Sequence, residues 1–157
     1  MLQRSALLLC LALLALCFAP LAHAQAYLVD DSASVVLGSD VRMRWDEAAP
    51  RNGRAGWLTG YVTVLVRLDV RAWRGRNARI YQVLPPQPGA DVVAEWTSHG
   101  VLLPGRLRAG ERALVYAGPI TSDELSDTFR ITLRADGEYL GRTESLDFSF
   151  EIEPESP

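Results

Sequence analysis

Over residues 61–73, YVTVLVRLDVRAW, nearly every second side chain is apolar. Val62, Val64, Val66, Leu68 and Val70 fall on one side, and Thr63, Arg67, Asp69 and Arg71 on the other. A period of two places successive side chains on opposite faces of an extended chain, which no helix can do. The same alternation recurs through most of the sequence. VRMRWD puts Val41, Met43 and Trp45 on one face, and FRITL does so with Phe129, Ile131 and Leu133. Near the C-terminus, Leu146, Phe148, Phe150 and Ile152 alternate with Asp147, Ser149, Glu151 and Glu153. ARIYQVL, DVVAEWT and ERALVYAG add further strands, with Leu114 and Tyr116 expected in one phase. Loops such as EAAPRNGRAG and PPQPGA separate them, because Pro cannot donate to a ladder and Gly tolerates turn conformations. The pattern predicts an all-β, immunoglobulin-like antiparallel β-sandwich of about seven to nine strands, with a small closed barrel as the alternative.

Local signals refine this expectation. The 13-residue run at 61–73 is long for one strand, so a bend, a bulge or service to two sheets is expected. TSDE at 121–124 matches a capping box and predicts one helical turn. Asp136-Gly137 predicts a hairpin. Trp45 and Trp96 share the apolar phase of their strands and are expected in the core, whereas Trp57 is placed to cover one end of the sandwich.

The N-terminus carries a different signal. Arg4 precedes an apolar run from Leu7 to Phe18, and Ala22-His23-Ala24 is a small-x-small cleavage site. This reads as a secretory signal peptide cleaved after Ala24, since the run is shorter than the ~20 residues a membrane span needs. Cys10 and Cys17 both leave with it, so the mature chain enters an oxidising compartment with no disulfide. The expected organisation is a signal peptide (1–24), an N-terminal arm or edge strand (25–40), a sandwich domain (41–153) and a polar tail (154–157). All sixteen basic residues are arginine, which together with the Ala and Leu content suggests a GC-rich genome. The expected location is the periplasm of a Gram-negative bacterium, or outside the cell.

Charge is uneven along the chain. Residues 42–112 hold twelve Arg against six acidic residues, and residues 123–155 hold three Arg against ten. The whole chain carries −3, a poor match to nucleic acid, which requires a basic footprint. After cleavage His99 is the only histidine, so no multi-histidine metal site forms, and no G-x-S-x-G elbow is present. A triad through Ser98 and His99 is weighed against a polar turn, and the turn is preferred. No catalytic residue, metal or cofactor is assigned, and the chain is read as non-enzymatic.

The densest feature is RLDVRAWRGRNAR at 67–79, with five arginines around Trp73. A three-residue loop at Gly75-Arg76-Asn77 would pair Ala72 with Ile80 and keep the apolar faces matched. In that register Trp73 lies opposite Arg79, and Arg71 opposite Tyr81. Arg71, Trp73, Arg79 and Tyr81 are therefore the candidate binding residues for a glycan or anionic ligand, through stacked arginine and aromatic groups.

The strand pattern, the exported character and the N-terminal stretch QAYLVDDSASVVLG resemble, at the level of architecture, subunits of chaperone–usher fimbriae. The resemblance implies a structural or assembly role, with envelope or fimbrial partners engaged by β-strand addition. The chain departs from that family in having no cysteine pair in its mature part and no tyrosine close behind its last alternating strand. No functional residue is carried over.

Overall fold

Alternation becomes a sandwich because each strand has one apolar face to bury, and two sheets packed face to face bury both. The computed structural model describes residues 25–38, 41–46, 56–87, 91–137 and 146–155. The signal-peptide assignment therefore lies outside the described residues. The strands are β1 (Tyr27–Leu28), β2 (Val35–Leu37), β3 (Arg44–Trp45), β4 (Trp57–Asp69) and β5 (Asn77–Val83). They continue with β6 (Val92–Thr97), β7 (Gly105–Arg108), β8 (Arg112–Pro119), β9 (Glu124–Asp136) and β10 (Ser149–Pro154). One antiparallel sheet has the order β1-β10-β5-β8, and the other β2-β4-β9-β6-β7 with β3 also on β4. The protein is an all-β sandwich. It has more strands than expected because the edge beside β4 is made of separate short pieces.

The centre of the larger sheet is the β4–β9 ladder. It runs from Trp57↔Asp136 to Asp69↔Glu124 without a register break. The long run thus stays regular, and it ends where Arg71–Trp73 forms a 3-10 turn. Leu58, Val66, Leu68 and Val70 point inward, as do Phe129, Ile131, Leu133 and Ala135 of β9. Ala78, Ile80, Phe150 and Ile152 of the smaller sheet face them across the core. Trp96 stacks on Phe129 with ring centroids 5.7 Å apart, and its indole N–H donates to the Leu103 carbonyl at 3.0 Å. Gly105 lies opposite Trp96, where a Cβ would come within 2.6 Å of the indole, so no side chain fits there.

Several local expectations are corrected. RLDVRAWRGRNAR is not a hairpin. β4 and β5 lie in different sheets, and residues 70–76 carry the chain from one to the other. Trp73 therefore does not pair with Arg79, nor Arg71 with Tyr81. β5 pairs instead with β10 and β8. TSDE forms no helical turn, because Asp123 and Ile120 lend their carbonyls to Val70 and Gly75 of the crossover and Glu124 opens β9. Asp136-Gly137 does not fold β9 back on itself. Ala135 already pairs with Leu58 on one side and Val92 on the other, and the next described strand, β10, belongs to the other sheet.

Leu114 and Tyr116 do not share a face. Ile80 pairs with Tyr116 but Tyr81 pairs with Leu114, so Val115 is an extra, bulged residue that is itself buried. Trp45 keeps its phase but not its burial. It sits at the end of the sandwich with its ring against Gly137 and is 54% exposed. Trp57 stands at the start of β4, with the Arg134 guanidinium 5.3 Å from its ring.

One buried group is out of place. Gln82 points into the core at 2% exposure, and its Oε1 has no hydrogen-bond partner among the described residues. A buried, unpaired amide oxygen costs about 1–3 kcal/mol. Gln82→Met, which keeps the volume and removes the amide, is expected to raise unfolding stability by about 1 kcal/mol. Urea denaturation of both proteins measures the difference.

Candidate functional site

The crossover gathers arginines because two sheets must be joined where three carboxylates already stand. Arg71 Nε lies 2.9 Å from Asp69, and Arg74 lies 2.9 Å from Asp123. Arg76 donates to the Glu155 carbonyl at 3.3 Å, and the Arg79 guanidinium lies 3.9 Å from the Glu155 carboxylate. Four of the five arginines thus engage groups of this same chain. Gly75, at φ 82°, supplies the left-handed turn that brings the chain back toward Ile120.

Trp73 is half-buried against the core and meets Tyr27 of β1 at a centroid distance of 6.3 Å. Tyr81 lies on the outer face of the smaller sheet, with the Arg112 guanidinium 4.3 Å above its ring. Arg112 is held there by Glu153 and by Glu151, 3.8 Å away. Such a stack is worth ~0.5–1 kcal/mol at an exposed position. Neither expected stack, Arg79 on Trp73 or Arg71 on Tyr81, is formed; the cation over Tyr81 is Arg112 of β8. Arg79 and Tyr81 share the outer face of β5, whereas Arg71 and Trp73 stand in the crossover turn.

Ser98 and His99 stand in the loop between β6 and β7. The Ser98 hydroxyl bonds Asp127 at 2.6 Å and the Leu102 carbonyl at 2.7 Å. His99 projects outward, exposed. Asp127 is the organising residue of this loop and is only 9% exposed. Burial pushes its carboxyl up, but hydrogen bonds from Ser98 and from the N–H groups of Leu102, Thr128 and Gly100 outweigh burial. The net result holds it below its ordinary value of 3.8. Among the described residues, no group of three or more His, Cys, Asp or Glu is arranged to hold a metal ion.

A different surface stands out on the larger sheet. Val35, Val36 and Leu37 of β2 are all exposed, Val36 by 56%. β2 is the outermost strand on its side of the sheet. Beside it, on the outer face of β4, Tyr61 is 74% exposed. Val36, Leu37, Gly38, Tyr61, Val62 and Thr63 line a depression of about 150 Å³. A second, open depression of about 300 Å³ continues across the face past Tyr61, Arg130, Glu95 and the threonines between them.

The sequence marks Val35 and Leu37 as alternating residues of an arm or edge. Val36 and Tyr61 escape notice. Val36 falls on the apparent polar phase of a segment too short to show its pairing, and Tyr61 heads a run whose apolar residues otherwise point inward. Compared with known proteins, the chain matches no family model, no curated protein and no solved structure. Among the described residues, no helix is long and apolar enough to cross a membrane.

Two measurements test these assignments. Asp127→Asn leaves the N–H donors and the Ser98 hydroxyl with a weaker acceptor, and is expected to lower stability by about 2 kcal/mol at pH 7. A depressed carboxyl stabilises fully above its ordinary value and loses that contribution as pH falls through its folded value. The gap between wild type and variant should therefore close below about pH 3.8, as followed by denaturant titrations across pH. Trp73→Ala removes a ring packed on the core and is expected to lower stability by about 2–3 kcal/mol in the same assay.

Proposed function

We propose that this chain is an exported, non-enzymatic β-sandwich protein of the bacterial cell envelope that assembles with other envelope proteins by strand addition at β2. The observation that carries this reading is an apolar edge strand left exposed. Natural sheets protect their edges with charge, proline, short length or a cover. Two of the other edges follow that practice, β7 with Arg106 and Arg108 and β8 with Pro119 at its end. β1, with Tyr27 and Leu28 exposed, spans only two residues. β2 instead presents Val-Val-Leu to solvent. An edge of this kind is a template for another strand, with main-chain hydrogen bonds supplying affinity and alternate side chains supplying selectivity.

Two further points support the reading. Cleavage after Ala24 would leave β1, which begins at Tyr27, intact in the mature protein. The architectural resemblance to chaperone–usher fimbrial subunits also points to assembly by strands.

The test is a charge placed on the edge. Val36 is exposed, so Val36→Lys is expected to leave export and thermal unfolding within about 2 °C of wild type. In native envelope extracts the wild type should migrate in assemblies larger than a monomer, and Val36→Lys as a monomer. A wild type that migrates only as a monomer, or assemblies unaffected by Val36→Lys, would overturn the proposal.

A further inference from the structure

The backbone of β4 reveals which groups of the edge are open. The Arg67 N–H donates to the Ser34 hydroxyl at 2.8 Å, and that hydroxyl donates back to the Arg67 carbonyl at 3.2 Å. The Asp69 N–H donates to the Asp30 carbonyl at 2.9 Å. Odd-numbered residues of β4 therefore aim their main-chain groups at this edge. In an antiparallel ladder such residues exchange both hydrogen bonds with their partners, so Val35 and Leu37 bond to Leu65 and Thr63. Val36 lies between them, and its N–H and C=O point away from β4 into the open edge.

The charges along the same edge are arranged about Val36. Asp30 stands opposite Asp69, Val36 opposite Val64, and Arg44 opposite Thr59. Asp30 is thus five β4 residues to one side of Val36, and Arg44 five to the other, ~17 Å each way at ~3.3 Å per residue. Asp30 and Arg44 occupy the same parity along β4 as Tyr61 and Thr63, and so belong to the outer face of the sheet.

From this we infer that the strand added at β2 is β2 of a second copy, paired antiparallel about a two-fold axis through Val36. The inference rests on the strand-addition reading above and names its partner. Val36 of each copy exchanges two main-chain hydrogen bonds with Val36 of the other. The Gly38 N–H of each copy reaches the Ser34 carbonyl of the other, giving four bonds in all. Val35 of one copy lies beside Leu37 of the other, so the apolar side chains cover each other. The same rotation brings Asp30 of each copy next to Arg44 of the other, one strand spacing away, ~5 Å. A Val-Val-Leu edge with an acid at one end and a base at the other is self-complementary, as an isologous interface must be.

Sedimentation velocity on the purified protein tests this. The wild type is expected to be a dimer at tens of micromolar. Val36→Pro removes only the outward N–H, so it should keep the fold, checked by circular dichroism, and weaken dimerisation at least tenfold. Asp30→Arg and Arg44→Asp should each weaken it several-fold by setting like charges together, and the double variant should return to within about threefold of wild type. A monomeric wild type at 100 µM, or a double variant no better than either single one, overturns the inference. If the purified protein is monomeric while its assemblies in envelope extracts still depend on Val36, self-pairing falls and strand addition to a different partner stands. If neither depends on Val36, both fall.

Discussion

The β4–β9 ladder is the constraint on which the rest of the structure depends. Thirteen residues of each strand pair without a slip, and a one-residue slip would turn every side chain to the wrong face. With that register in place, Leu58, Val66 and Leu68 enter the core from one strand and Phe129, Ile131 and Leu133 from the other. β6 takes the far side of β9, and the short strands β2 and β3 take the far side of β4. The smaller sheet then closes over the apolar face so formed. On the side away from β9, β4 has only short partners, β2 at three of its thirteen positions, β3 at two and Asp30 at one, and their far sides form the open edge.

The chain closes the sandwich by moving repeatedly between sheets, while the consecutive pairs β3–β4 and β6–β7 stay within the larger one. The N-terminal segment pairs with β10 at Tyr27–Leu28, buries Val29, and reaches the other sheet at Asp30. On the opposite side β7 runs through a turn at Gly110 into β8 of the other sheet. Such crossings leave main-chain groups without ladder partners, and buried main-chain groups need partners. Residues 70–76 and 120–123 solve this for each other through the bonds Val70 to Asp123, Gly75 to Ile120 and Ile120 to Arg76. The arginine-rich stretch is the solvent side of this junction. Its side chains neutralise Asp69, Asp123 and Glu155 at close range, although exposed pairs of this kind add little to stability.

Much of the fold was legible in the alternation. The inward phase of β4, β5, β6, β9 and β10 follows from apolar residues two apart, because a half-buried strand leaves that trace in composition. Misreadings occur where a local signal met a partner distant in sequence. Asp136-Gly137 has the chemistry of a hairpin turn, but β6 already occupies the edge that the hairpin would need. TSDE has the chemistry of a helix start, but its neighbours' carbonyls are bonded to the crossover. At Val115 a bulge reversed the phase, and a bulge leaves no mark in a sequence of apolar residues. The candidate site was legible in part. Val35 and Leu37 were visible as an edge segment, and an arginine stacked on Tyr81 was foreseeable. That the arginine is Arg112 follows from β5 lying beside β8 instead of β4.

By itself the sequence determined that the chain forms strands, which faces of them are apolar, and that no cysteine after Cys17 is present to tie them together. These are properties of neighbouring residues, set by side-chain period and composition. Only the tertiary structure decided which strands are neighbours. It turned RLDVRAWRGRNAR from a hairpin into a crossover, separated Arg71 and Trp73 from Arg79 and Tyr81, and left Val36 on an open edge. The reason is that strand order depends on contacts between residues far apart in the chain. A strand's own alternation says which face it buries, and nothing about what lies beside it.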